Sequence, residues 1–225
     1  MKTDTQLQRD VGAELKWDPS VQAAGIGVEV KDGVVTLAGE VASFAEKWRA
    51  ESAALRVAGV KAMSTALTVH VSGLSQRSDA DLAGAVENVL TWTSPLPNGG
   101  IQVMVEGGWV TLSGEVDWQF QKLAAADSVR SLMGVVGINN QISLRPALTA
   151  KAIKAETRAE IKAEIEAALK RSAIADAQAI RVAVDGHEVT LSGTVSSWSE
   201  KETAKHSAWG TPGVNSVVDS LALAG

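Results

Sequence analysis

The sequence predicts an α+β protein built as three tandem small domains. Each runs helix–strand–strand–helix–strand, with a three-stranded mixed sheet and two helices on one face. Three observations predict this. First, the octapeptides Val34–Val41 (VVTLAGEV), Trp109–Val116 (WVTLSGEV) and Glu188–Val195 (EVTLSGTV) repeat at spacings of 75 and 79 residues, measured at Leu37, Leu112 and Leu191. A period this long marks a repeated domain, not one turn of a solenoid. Second, apolar residues upstream of each octapeptide recur with helical spacing: Leu7, Val11, Leu15; Leu82, Val86, Leu90; Ile161, Ile165, Leu169. Third, a Gly-Val pair follows each octapeptide at a fixed distance (Gly59-Val60, Gly134-Val135, Gly213-Val214), and Leu67, Ile142 and Leu221 stand eight residues past each glycine. The expected domains are 1–72, 76–146 and 150–225. The four extra residues of the second spacing fall between Leu144 and Ile161, which marks a linker.

The elements follow in order. Asp4 or Thr5 is positioned to cap a first helix that ends near Trp17, before Asp18-Pro19. Ser78 or Asp79 does the same in the second copy, where Pro95 follows the helix. Alternating apolar residues then give two strands: Ile26, Val28, Val30, followed by Val35, Leu37 and, past Gly39, Val41. Between them stand Asp32-Gly33, Gly107-Gly108 and Gly186-His187, two-residue turns of the kind that joins a hairpin. His187 is the weak member, because that place favours positive φ. Gly39, Gly114 and Gly193 interrupt a strand, which points to a bulge, helix packing or close backbone approach, with ligand contact as the alternative. A second helix covers about 44–57, 119–132 and 198–209; Ser43 and Ser197 are its candidate caps. The last strand covers about 64–71, 138–144 and 216–223. It is reached through a helix, so it lies parallel to the strand before it, with a right-handed crossover.

The recurring Val-Thr-Leu-Ser-Gly-Glu-Val, followed by Gly-Val and an alternating strand, resembles the BON domain of bacterial osmotic-stress and nodulation-associated proteins. The resemblance covers nearly the whole chain, three times. It implies the same element order and a non-enzymatic module that engages phospholipid membranes or other proteins, often in the envelope. It brings no catalytic residues.

Composition narrows the function further. The chain has 225 residues, a net charge of −5 and no cysteine. Basic residues number eight against nine acidic in the first copy, four against seven in the second and nine against ten in the third. No basic patch stands out, so nucleic acid is not an expected partner. The absence of cysteine removes disulfides and thiolate metal sites. The opening residues, MKTDTQLQRD, form no signal peptide, and no apolar run approaches a membrane span. A cytoplasmic protein is therefore expected, or a periplasmic one if the chain is a trimmed mature form. His70, His187 and His206 do not recur between copies and have no metal-ligand spacing. Glu40 and Glu115 recur, but Thr194 replaces them in the third copy, which suits a solvent-facing strand carboxylate better than an acid/base role. No catalytic site, metal or cofactor is expected. The helix-forming stretch Lys151–Lys170 carries charges of both signs, favouring a solvated helix over a membrane-surface one.

Seven tryptophans and no tyrosine are the most individual feature. Aligning the copies pairs Trp17 and Trp92 with Arg171, Trp109 with Val34 and Glu188, Trp118 with Ser43 and Ser197, and Trp48 with Leu123 and Glu202. Trp198 matches Phe44 and Gln119, and Trp209 matches Leu55 and Arg130. Each position is polar or charged in at least one copy, which a shared core would not tolerate. Trp17, Trp92, Trp109, Trp118 and Trp48 are therefore the candidate interface or ligand residues, facing another domain, a partner or a membrane. Five of the seven lie in the first two copies, so those two are expected to share the larger interface. The expected function is a non-catalytic, stress-type, peripheral phospholipid-binding module; the alternative is a protein–protein interaction scaffold.

Overall fold

The computed structural model describes residues 2–70, 77–93, 96, 100–145, 155–171, 179–211, 214 and 216–224. Most of the expected linker, together with Pro95 and Gly213, lies outside the described residues.

The first unit shows how local chemistry makes the fold. Helix α1 (Asp4–Trp17) starts at Thr3, whose hydroxyl accepts from the Gln6 backbone N–H while the Thr3 N–H donates to the Gln6 side chain. The cap is thus Thr3, one residue before the expected Asp4. The helix buries Leu7, Val11 and Leu15, the face its spacing predicted. Strands β1 (Ile26–Lys31) and β2 (Val34–Val41) pair antiparallel, with Val28 opposite Leu37. Helix α2 (Phe44–Arg56), capped by Ser43, crosses over to β3 (Ala62–Val69), which runs parallel to β2.

The same order recurs in α3 (Asp79–Trp92), β4 (Ile101–Glu106), β5 (Trp109–Val116), α4 (Gln119–Arg130) and β6 (Gly137–Leu144). It recurs again in α5 (Ala155–Arg171), β7 (Ile180–Asp185), β8 (Glu188–Val195), α6 (Trp198–Trp209) and β9 (Ser216–Leu223). The described residues form three separate three-stranded sheets, each with the octapeptide strand in the centre. Leu37, Leu112 and Leu191 are fully buried, each in its own core. In α5 the buried face is Ile161, Ile165 and Leu169, so its apolar stripe is spent on its own unit, not on an external surface.

One local feature had a different cause from the expected one, and one followed it. Asp4 does not cap α1; its carboxylate accepts the Asp32 and Gly33 N–H groups at 2.8 and 3.0 Å, clamping the hairpin turn to the helix. Asp79 does the same for Gly107 and Gly108. In the third unit Arg158 holds this position and pairs with Asp185 at 3.3 Å. The strand glycines have positive φ (139° at Gly39, 126° at Gly114, 122° at Gly193), and a Cβ there would collide with the backbone carbonyl of Gly25, Gly100 or Ala179. Close backbone approach, not a ligand, requires them. At the turns, Asp32, Gly33, Gly107, Gly108 and Gly186 take positive φ and His187 does not.

Candidate functional site

The units meet through their second helices. Phe44, the first residue of α2, packs against the core of the second unit. Trp198, the first residue of α6, packs against the core of the first. Trp48 of α2 receives Arg130 of α4, the guanidinium 3.8 Å from the ring centroid. Helices α2 and α6 make the most extensive backbone contact between units among the described elements. These contacts run head to tail: first unit to second by Phe44, third to first by Trp198. The second and third units face each other across a crevice that residues of both line. The most extensive helix contact joins the first and third units, while Phe44 and the Trp48–Arg130 pair join the first and second.

The junction from second unit to third is built differently. Its equivalent of Phe44 and Trp198 is Gln119, and an open crevice of about 510 Å³ lies there. Trp118, Phe120 and Leu123 from α4 and its leading residue form one wall; Lys205, His206 and Trp209 of α6 form the other. Trp118 stands where Ser43 and Ser197 cap their helices, but its indole accepts no bond from α4, whose start is held from the other side by Gln121 Oε1 accepting the Trp118 N–H at 3.0 Å. A serine-to-non-capping change at this position costs about 1 kcal/mol. The indole is 48% exposed and belongs to no core cluster of its own unit.

The remaining candidates separate. Trp17 and Trp92 end α1 and α3 and are 83% and 85% exposed. Trp109 lies over Gly137 of the neighbouring strand β6, on the open face of its own sheet. None of Trp17, Trp92, Trp109 and Trp118 belongs to a core cluster. Beside Trp17, the Asp18 carboxyl is held below its usual range by hydrogen bonds from the Ser20 hydroxyl and backbone N–H, with Arg49 and Arg56 contributing. Among the described residues no group of three or more His, Asp or Glu is placed to hold a metal, and no helix is long and apolar enough to cross a membrane.

Comparison with known families settles the affiliation. The BON domain profile matches residues 3–70, 78–146 and 157–225. The chain belongs to the BON domain family. Over 148 residues it is 28% identical to the osmotically-inducible protein Y of Escherichia coli (strain K12), covering 63% of this chain and 73% of that protein. Among solved structures it is similar to the C-terminal domain of CdsD, the structural protein of the type III secretion system of Chlamydia trachomatis. That match has 16% identity over the full length of both chains and a TM-score of 0.27. A second CdsD structure gives 14% identity over 96% of this chain and 91% of that one, again with a TM-score of 0.27. At these scores neither superposition bears on the fold.

Within the three BON domains, the residues that cross between units include two outside the candidate set, Phe44 and Trp198. The same alignment held their signal: aromatic, polar, aromatic at one position of the second helix, with Gln119 as the exception. The Asp4 and Asp79 clamps were missed because a carboxylate at a helix start reads first as a cap.

Proposed function

We propose that this triple-BON protein is a stress-related, non-catalytic binding module that docks peripherally on a phospholipid surface through Trp17 and Trp92. The likeness to an osmotically-inducible protein supports the stress role. The observation that carries the docking surface is a pair of tryptophans at one equivalent position of two BON domains, each more than four-fifths exposed. Folding normally removes most of such a ring from water. An indole left outside both its core and the domain junctions suits the headgroup region, where its apolar body and N–H are both satisfied. Arg171 holds the equivalent position in the third domain. Its guanidinium is fitted to lipid phosphate.

The net charge of −5 supplies no long-range attraction to anionic lipid, so ring insertion has to carry the binding. Co-sedimentation with phosphatidylcholine and mixed phosphatidylglycerol vesicles tests this. The wild-type chain should sediment with both. The Trp17→Ala/Trp92→Ala variant should lose most of its binding while its circular dichroism is unchanged. Equal sedimentation of the two proteins would contradict the reading.

A further inference from the structure

The crevice between the second and third BON domains is independent of the lipid-facing tryptophans. We infer that it is a binding site for a small planar aromatic molecule of one or two rings. Its place in the fold carries the inference. At the first-to-second junction the first residue of the second helix is Phe44, packed against the neighbouring core. At the third-to-first junction it is Trp198, packed likewise. At the second-to-third junction the corresponding residue is Gln119, which lines the crevice. The repeat therefore puts an aromatic ring at two of three equivalent places and leaves the third open.

The walls match that missing ring. Phe120 and Leu123, 53% and 43% exposed, face the crevice with Trp118 and Trp209, so three aromatic side chains and one aliphatic one surround it. Such faces accept a ring by stacking or edge-to-face contact. The volume of about 510 Å³ is that of a small-molecule site, and mostly apolar walls with a few polar groups are the usual composition. Lys205 is already paired with Glu202 at 2.8 Å, so the rim offers no uncommitted lysine charge to an anion. An uncharged ring with one hydrogen-bonding group is the chemistry this arrangement selects.

The probe is 5-fluoroindole, followed by fluorine NMR against the full chain. Saturable binding is expected with a Kd of about 0.1–1 mM, the range open to a ligand of this size. Gln119→Phe restores the ring that the other junctions have and should weaken binding at least tenfold. Leu123→Glu should do the same, and the fold accommodates it because Glu202 occupies the equivalent site. Trp17→Ala/Trp92→Ala should bind as the wild type does, which separates this site from the lipid surface. No saturable binding to the wild-type chain would overturn the inference. Undiminished binding to a folded Gln119→Phe or Leu123→Glu chain would overturn it equally.

Discussion

The Arg130 guanidinium lies 3.8 Å from the centre of the Trp48 ring, joining the second BON domain to the first. Arg130 also pairs with Asp127 within its own helix at 2.8 Å, which holds the guanidinium in place. Trp48 is 40% exposed, so the contact is only partly desolvated. A cation–π pair of this kind contributes about 0.5–1 kcal/mol. A double-mutant cycle with Trp48→Ala and Arg130→Ala should return a coupling energy in that range, measured by urea unfolding. Strictly additive effects would mean that the two side chains are neighbours without interaction.

Trp118 occupies a helix-capping position without making the bond that Ser43 and Ser197 make. Trp118→Ser should therefore stabilise α4 by about 1 kcal/mol. Thermal unfolding of the full chain checks this. A lower melting temperature would show that the indole stabilises the domain junction by more than the missing cap costs.

The strand glycines and the helix glycines should respond oppositely to alanine. Gly193 has φ 122° and no room for a Cβ beside the Ala179 carbonyl. Gly193→Ala should destabilise its domain by about 2–4 kcal/mol, through strain and displaced backbone. Gly84, inside α3, has nothing within 4 Å of an added Cβ. Gly84→Ala should stabilise by about 0.5–1 kcal/mol. Denaturant melts of the two variants give the comparison, and changes of the same sign would refute this account of the glycines.

Much of each domain was legible in the sequence because its determinants are local and repeated. Leu7, Val11 and Leu15 state a helix face by spacing alone, and Leu37 recurs where three cores need the same residue. Boundaries slipped by one residue where two hydroxyl or carboxylate side chains compete for one cap, as Thr3 and Asp4 do. The junctions were less legible. Comparing copies shows which positions the shared core has released, and it released Trp17 and Trp48 alike. Only the structure separates them, since Trp48 meets Arg130 across a domain boundary and Trp17 stands in solvent. The crevice at Gln119 was hidden for a related reason: a missing ring matters only once its two counterparts are seen to fill the neighbouring junctions.

The docking of Trp17 and Trp92 on lipid is tested most directly by quenching of tryptophan fluorescence with brominated phosphatidylcholine in vesicles. Bromine placed at the upper end of the acyl chains quenches rings that reach the headgroup–acyl boundary and leaves rings in water unquenched. The account predicts clear quenching and a blue shift for the wild-type chain, both largely absent from Trp17→Ala/Trp92→Ala. No quenching of the wild type, or equal quenching of the variant, would contradict it.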